Sequence, residues 1–267
     1  TSIYILFKFF TKIFNSKNII YFENANLAKC IQYCGKKKIK TFDIQHALSS
    51  DLNILYKFYM KPKYSYLITK KIVLWGDYWK RFYSYNHRCI SLGHFDRNNV
   101  KNYKKKKQIF VVSSIFSRAD LIGLIKYISF NLKDYKIIYK LRPEENFDEI
   151  KKIINFSTKN IIFMKNSYLT IINKTIAESQ YIIGTNSSML VEALGITDII
   201  LFKRGWFREY SEFINNKSFL SANTYDEVIS IIKKKKKNIY SIKKINDIFK
   251  KNFNQNFKNF FKKELND

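Results

Sequence analysis

The sequence predicts an α/β protein with two parallel-sheet domains of the Rossmann type and an amphipathic C-terminal helix. Three observations favour this class: strand and helix patterns alternate in the second half, a charged break occupies residues 101–107, and phenylalanines recur at helical spacing near the C-terminus. Strict alternation indicates a parallel sheet with right-handed crossovers. A chain of 267 residues with 46% hydrophobic residues can fill one large or two modest domains.

In the first half of the sequence, the pattern of apolar residues predicts an N-terminal domain, which we place at residues 1–103. Apolar residues recur at helical spacing from Leu27 to Cys34, and Gly35 is a suitable stop for that helix. Short apolar runs bounded by polar residues predict the strands. The predicted strands are 18–23, 39–44, 66–69, 72–75 and 89–92, and the predicted helices are 27–37 and 77–83.

The second half predicts a more regular domain at residues 104–232. Each predicted strand is a short apolar run, and each predicted helix places apolar residues on one face. The predicted strands are 108–113, 135–140, 161–164, 181–184 and 198–202, and the predicted helices are 119–132, 147–156, 168–178 and 187–194.

The remaining segment, 233–267, is predicted as a basic and aromatic helical tail. It contains the five-lysine run Lys233–Lys237. The phenylalanines at 249, 253, 257 and 260 are spaced four, four and three residues apart, which places them on one helical face. Two interpretations stay open: a helix that packs across the protein body, or a helix that lies on an anionic membrane surface.

Composition limits the function only loosely. The formal net charge of +28 admits polyanionic partners, and both a solvated basic surface and a membrane-facing surface stay open. The apolar run at 3–10 is short and interrupted by Lys8, which argues against a membrane span. The three cysteines show no zinc or disulfide spacing, so we expect reduced thiols and a cytoplasmic location.

Two polar loops in the second half carry the main functional signal. Lys140–Glu145 follows one apolar run, and Gly184–Ser188 follows another and opens an apolar helix. Ligands bind beyond the carboxyl ends of strands in parallel sheets, so we expect both loops at neighbouring strand ends. The guanidinium of Arg142, with hydroxyls and free N–H groups at Ser187, suits a phosphate. The simpler interpretation involves no ligand: Arg142 and Pro143 form only a turn, and Ser187 only caps a helix.

The order of these loops resembles the nucleotide-binding domain of GT-B glycosyltransferases that build bacterial capsule and lipopolysaccharide. In that family a strand ends in a Lys-x-His-Pro element, and a later strand ends in a Ser-Ser or Ser-Thr element before a Glu-Ala helix. Here 140–143 and 187–193 occupy those places. Segments 21–24, 43–47, 75–79 and 91–93 are similar to further elements of the family. Two residues depart from the pattern: Arg142 replaces the usual histidine and Ala47 the usual glycine.

The resemblance implies a GT-B-like fold, in which an acceptor-side domain and a nucleotide-sugar domain face each other across a cleft. It implies an inverting glycosyltransferase, with CMP-sugar donors favoured by the similarity to sialyltransferases, Kdo transferases and CDP-glycerol polymer enzymes. The expected partners are the nucleotide-sugar donor, a glycan or lipid-linked glycan acceptor and, through the basic tail, the inner face of an anionic membrane. No nucleic acid is expected. Glycosyltransferases of the other main fold, GT-A, hold a metal ion with an Asp-x-Asp element. The chain contains no such triplet, so we expect no metal or other cofactor.

The resemblance also assigns roles to residues. Arg142 would hold the phosphate through its planar guanidinium, and it would not donate a proton because its pKa stays above about 12. His46 is the expected base, with Glu23 as the alternative, although His46 is equally interpretable as a structural histidine. Trp206 would stack on the nucleobase or face the interdomain cleft, and it is equally interpretable as a core residue. The expected nucleotide and phosphate residues are Lys140, Arg142, Pro143, Thr185, Ser187, Ser188 and Glu192.

Other functions stay open beside the transferase. A CDP-polyol phosphotransferase or a sugar-nucleotide epimerase would use the same fold, but an epimerase needs acid and base groups on both sides of one sugar carbon, and histidines and paired carboxylates are scarce here. A nucleic-acid-binding protein fits the charge, yet the sequence contains no recognisable module that reads RNA or DNA. A catalytically inactive scaffold is a further possibility, because Arg142 and Ala47 replace the histidine and the glycine that are usual in the family.

Overall fold

Two compact units, each with its own parallel sheet, make up the chain. The first combines Thr1–Asn98 with Asn246–Asp267, and the second spans Asn99–Ile245. The structure is a computed structural model that describes residues 11–13, 17–22, 28–45, 48–49, 69–83, 86–95, 97, 103–154, 159–165 and 168–266. The predicted α/β class with two parallel, Rossmann-like sheets is confirmed.

The first unit contains a sheet with the strand order β1-β2-β3-β4, in which every pair is parallel. Its elements are β1 (Asn18–Phe22), α1 (Ala28–Lys36), β2 (Lys40–Ile44), β3 (Lys71–Leu74) and β4 (Cys89–Ser91). The helical spacing of Cys30 and Cys34 contributed to the prediction of α1. These two residues are 3% and 0% exposed, so they lie on the buried side of the helix. The predicted strand at 66–69 lies outside the described residues apart from Thr69, which precedes β3.

The second unit contains a sheet with the strand order β10-β9-β8-β5-β6-β7, also parallel throughout. Every residue of β5 is buried, as expected of a strand in the middle of a sheet covered on both faces. The strands are β5 (Gln108–Val112), β6 (Lys136–Lys140), β7 (Ile161–Met164), β8 (Tyr181–Gly184), β9 (Asp198–Phe202) and β10 (Leu220–Ala222). Three of these, β7, β8 and β9, have the predicted bounds.

Helices connect these strands and cover the sheet. The α-helices are α2 (Arg118–Asn131), α3 (Phe147–Ile154), α4 (Leu169–Glu178), α5 (Ser188–Glu192), α6 (Ser211–Asn215) and α7 (Tyr225–Lys233). Alternate residues of the central strands, including Ile109 and Val111, join one buried cluster with residues from α2 and α7. Neither β10 nor α7 was predicted. Thr224 caps α7 by accepting from the Glu227 N–H, so a Thr-x-x-Glu signature marks this helix.

The C-terminal segment packs on the first unit. The predicted helix at 77–83 is a 3₁₀ helix, Asp77–Phe82, whose three-residue repeat brings the buried rings of Trp79 and Phe82 to the same side. Nε1 of Trp79 donates a hydrogen bond of 2.8 Å to the carbonyl oxygen of Ile248. The segment contains helices α8 (Ile242–Ile248) and α9 (Phe253–Asn266).

The aromatic face of α9 packs against the same unit. The ring of Phe42 in β2 lies 6.0 Å from the ring of Phe260 and 5.0 Å from that of Phe261. Phe249, which we placed on this helical face, precedes α9 and is 4% exposed. These contacts favour the tail as a helix packed on the protein body. Within the part of the chain that the structure describes, no helix is both long enough and apolar enough to cross a membrane.

Candidate nucleotide site

The topology of the second sheet places the candidate site at the carboxyl ends of β5 and β8. From β5 the chain first adds β6 and β7 on one side and then β8, β9 and β10 on the other. The direction of winding therefore reverses between β5 and β8, and ligands of open parallel sheets bind at such a reversal. The expectation that the loops after β6 and β8 lie at neighbouring strands is wrong, because β5 separates those strands by about 10 Å.

A direct contact joins the two loops at this reversal. Ser114, which follows β5, donates from its hydroxyl to Oδ1 of Asn186, which follows β8, at 2.6 Å. Thr185 is 1% exposed and donates to the same oxygen at 3.1 Å. Both contacts use the amide oxygen of Asn186. Its nitrogen makes no hydrogen bond to the described residues, so two N–H donors remain for a ligand.

A second network joins the loops after β5 and β6. Ser113 donates to Oε1 of Glu145 at 2.7 Å, and Tyr139 donates to the Ser113 hydroxyl at 3.1 Å. Oε2 of Glu145 accepts from the backbone N–H of Arg142 at 2.8 Å. Nε of Arg118, the first residue of α2, lies 3.2 Å from Oε1 of Glu145. Together, the two networks connect the polar loops that follow β8, β5 and β6, which are neighbouring strands in the sheet.

The loop after β6 presents Arg142 differently from the expectation. Nε of Arg142 lies 2.7 Å from Oε1 of Glu144, and both side chains are nearly half exposed. The backbone turns here, with the Glu145 N–H donating to the Arg142 carbonyl at 3.2 Å, and Pro143 lies exposed within the turn. Lys140 donates to the carbonyl of Leu141 at 2.6 Å, and burial lowers the pKa of its ammonium group.

Ser187 caps α5, as the simpler interpretation predicted. Its side-chain oxygen accepts from the Met189 N–H at 3.3 Å, so that N–H is already used. Helix α5 spans only Ser188–Glu192, less than two turns, and its dipole is accordingly small. The hydroxyls of Ser187 and Ser188 are half-buried, so they remain candidates for a polar ligand.

The charges of two carboxylates, Glu209 and Glu192, act on Tyr210, whose hydroxyl is hydrogen-bonded to the Ser187 backbone. Burial raises the pKa of the Tyr210 hydroxyl, and the neighbouring charges of Glu209 and Glu192 add to that effect, while a hydrogen bond to the Ser187 backbone opposes it. Burial also raises the pKa of Glu209 itself. Glu192, predicted from the sequence, therefore lies close to Tyr210 and the Ser187 turn, and Glu209 was not predicted.

The loop after β9 adds an exposed aromatic pair. Trp206 is 58% exposed and Phe116 is 71% exposed, with their ring centroids 6.3 Å apart. Gly205, at φ +59°, brings this loop against the loop after β5, since a Cβ at Gly205 would lie 3.0 Å from Oγ of Ser117. Trp206 is thus not a core residue, and its ring is available to stack on a planar group.

The structure does not describe either of the two predicted bases. His46 and Glu23 lie outside the described residues. His94 is 4% exposed and packs against Trp75, with ring centroids 4.6 Å apart. Burial and the charge of Arg97 lower the pKa of His94 to about 4.

Besides Glu209, sequence reasoning missed five polar residues of this site: Ser113, Ser114, Arg118, Glu145 and Asn186. The signal was available in part, because Ser113 and Ser114 directly follow an apolar run, as Thr185 and Asn186 do. What the sequence did not reveal was the central position of β5 between the other two strands.

Comparison with known proteins supports the fold. No protein-family model matches the chain, and no curated protein matches it. Among solved structures, a Staphylococcus aureus MnaA–UDP co-structure superposes with a TM-score of 0.64 at 9% identity, covering 85% of this chain and 70% of that one. UDP-GlcNAc 2-epimerase from Neisseria meningitidis bound to UDP-GlcNAc gives 0.66 at 11% identity, covering 98% and 79%.

A glycosyltransferase from Rickettsia africae is also similar, with a TM-score of 0.52 at 16% identity, covering 96% of this chain and 78% of that one. The chain therefore has the GT-B-like fold that these epimerases and glycosyltransferases share. At such low sequence identity the likeness extends to the fold alone.

Proposed function

We propose that the second unit binds the nucleoside diphosphate of a nucleotide sugar and that the protein is a glycosyltransferase. The observation that carries the proposal is the hydrogen bond between Ser114 and Asn186 across the reversal of the sheet. It joins two loops at the position where parallel sheets bind nucleotides, and it occupies the amide oxygen of Asn186, which leaves the amide N–H groups for a ligand that accepts hydrogen bonds.

A phosphate ester fits these groups. The hydroxyls of Ser187 and Ser188, the amide of Asn186 and the guanidinium groups of Arg142 and Arg118 are donors, and phosphate oxygens are acceptors. Fixed donors and positive charge can stabilise the negative charge that develops on a departing nucleotide, so the proposed chemistry needs no metal. Thr185 would support Asn186 from within the fold.

For the donor, the fold neighbours favour UDP-sugars over the CMP-sugars expected from the sequence. Two of the similar structures are described as holding UDP or UDP-GlcNAc. The exposed ring of Trp206 would stack on the nucleobase, and Glu192 would bind the ribose hydroxyls. The acceptor base remains a proposal at His46, with Glu23 as the alternative.

A panel of nucleotides tests the binding proposal directly. Thermal unfolding and calorimetric titration with UDP, CDP, CMP, GDP and dTDP should show a rise in melting temperature with UDP, because a ligand that binds only the folded state stabilises it by mass action. Release of UDP from a UDP-sugar upon addition of a glycan acceptor would then establish transfer. If no nucleotide changes the melting temperature at millimolar concentration, the proposal fails.

An epimerase is the second candidate, because Glu192 and Glu209 both lie near Tyr210. Two carboxylates near one sugar could remove and return a proton on opposite faces of a carbon. Incubation with UDP-GlcNAc in D₂O, followed by NMR, distinguishes the two functions. Epimerisation would replace hydrogen by deuterium at the inverted carbon without any acceptor, whereas a transferase would leave that carbon unlabelled.

We also propose that the basic tail contacts anionic lipid while the enzyme acts on a membrane-anchored acceptor. Because the aromatic face of α9 packs on the first unit, the contact would use lysines and not inserted rings. Lys258, Lys262 and Lys263 of α9 are exposed. Sedimentation with vesicles containing phosphatidylserine should pull down the protein at low salt, and neutral vesicles should not.

A further inference from the structure

We infer that Arg118, oriented by the buried carboxylate of Glu145, is the principal phosphate-binding guanidinium of the site. The inference rests on the proposed nucleotide site and assigns its main cation. The sequence had pointed to Arg142, one strand further from the reversal of the sheet.

The first step concerns Glu145. Its side chain has no exposed surface, and a buried carboxylate is costly unless hydrogen bonds and a cation compensate it. The hydroxyl of Ser113 and the backbone N–H of Arg142 supply hydrogen bonds at 2.7 and 2.8 Å. Among the described residues, Arg118 is the ion-pair partner, with Nε 3.2 Å from the carboxylate but not hydrogen-bonded to it, and the charge of Lys140 also acts on Glu145. The charge of Glu145 therefore draws the Arg118 side chain toward the loop after β6.

The second step concerns the rest of the guanidinium. Arg118 meets Glu145 through Nε, and its side chain keeps 30% exposure. A guanidinium has five N–H donors in a rigid plane, so one carboxylate contact at Nε leaves the terminal nitrogens for a second anion. Phosphate is the anion that this planar fork binds through two parallel hydrogen bonds.

The third step is position. Arg118 begins α2, the helix that leaves central strand β5, and Ser114 in the preceding loop contacts Asn186 of the β8 loop. The Arg118 side chain thus starts at the reversal of the sheet, where the ligand is expected.

Arg142 is less well prepared for the same task. It follows β6, one strand away from the reversal, and its guanidinium pairs with Glu144 in a surface contact where the arginine is 43% exposed. To bind phosphate, it would have to leave Glu144 and lose side-chain freedom, which lowers the affinity it can contribute. Arg118 is less exposed, at 30%, and its ion-pair partner is buried, so it has less side-chain freedom to lose.

The test compares UDP with uridine, which lacks the phosphates. Removing Arg118 alone would leave the Glu145 charge buried and unpaired, so the test variant is the double substitution Arg118→Met with Glu145→Gln. Lys107→Met with Asp134→Asn is the matched control, because it removes an exposed ion pair and likewise leaves the net charge unchanged. Thermal unfolding and circular dichroism check that each variant is folded.

By calorimetric titration, the double variant should bind UDP about 10- to 100-fold more weakly than wild type, and it should bind uridine equally well. The control should match wild type for both ligands. Glu145→Gln alone, which keeps Arg118 but loosens it, should give an intermediate loss for UDP.

Two results would overturn the role of Arg118 while leaving the nucleotide site intact: unchanged UDP affinity in the double variant, or equal losses for UDP and uridine, which indicate a purely structural ion pair. If wild type itself binds neither UDP nor uridine, the proposed nucleotide site is wrong, and the inference falls with it.

Discussion

The hydroxyl of Ser114 lies 2.6 Å from Oδ1 of Asn186, although the two residues are 72 positions apart in the chain. This contact joins the loops on either side of the point where the second sheet reverses its direction of winding. It also orients the Asn186 amide, since the hydroxyls of Ser114 and Thr185 both donate to its oxygen and not to its nitrogen. The candidate site is organised around this bond, and the first prediction follows from it.

Replacing Asn186 by aspartate should weaken UDP binding by at least about 10-fold, because it puts a negative charge where phosphate is expected. The hydroxyls of Ser114 and Thr185 can still donate to the new carboxylate, so the fold should persist. Calorimetric titration measures the affinity. Asn254→Asp, at an exposed position in α9, is the control for added charge. Equal affinities in both variants would contradict the assignment of Asn186.

The surface pair of Arg142 and Glu144 leads to a second prediction. Exposed ion pairs contribute about 0–1 kcal/mol, so Arg142→Ala should change the free energy of unfolding by less than about 1 kcal/mol. If Arg142 moves to the phosphate when nucleotide binds, Arg142→Ala should weaken UDP binding, and Arg142→Lys should restore little because lysine lacks the planar fork.

Glu144→Gln complements that experiment, since it frees Arg142 from its partner. We expect it to preserve or raise UDP affinity in titrations. Loss of affinity in Glu144→Gln, with none in Arg142→Ala, would show that the carboxylate and not the guanidinium contacts the ligand.

Close packing of the C-terminal segment leads to a third prediction. A Cβ at Gly76 would lie 2.2 Å from the backbone oxygen of Asp247, so Gly76→Ala must displace that segment. We expect a loss of about 1–3 kcal/mol in the free energy of unfolding, measured with urea. Gly35→Ala, at an exposed position near the end of α1, should be neutral or slightly stabilising. Equal stabilities of the two variants would rule out tight packing at Gly76.

The burial of His94 leads to a pH prediction. Its folded pKa of about 4 lies below the ordinary value of 6.5, so the unfolded chain binds more protons between these values. Its contribution to stability is therefore complete above pH 6.5 and is lost as the pH falls toward 4. Between pH 7 and pH 5 this loss amounts to about 2 kcal/mol.

Urea unfolding across that pH range checks the effect. Wild type should lose stability more steeply than His94→Asn, which has no titrating ring, even though the variant starts lower through lost packing against Trp75. Parallel pH profiles of the two proteins would mean that His94 does not titrate with a lowered pKa.

Much of the secondary structure was predictable because it depends on neighbours in the chain. The apolar runs at 161–164, 181–184 and 198–202 became strands with those bounds, and the cap at Ser187 formed where a polar residue precedes an apolar helix. In contrast, β10 has only the three residues Leu220–Ala222, and its pattern is too short to distinguish it from a loop.

The sequence by itself determined the α/β class, the alternation that makes the second sheet parallel and the polar strand ends, because periodicity and capping act over a few residues. Only the tertiary structure decided that β5 lies between β6 and β8, that Glu145 pairs with Arg118, and that Trp79 binds the backbone of Ile248. These relationships join residues far apart in the chain, and they arise from how sheets and helices bury their apolar faces together, which no local pattern encodes.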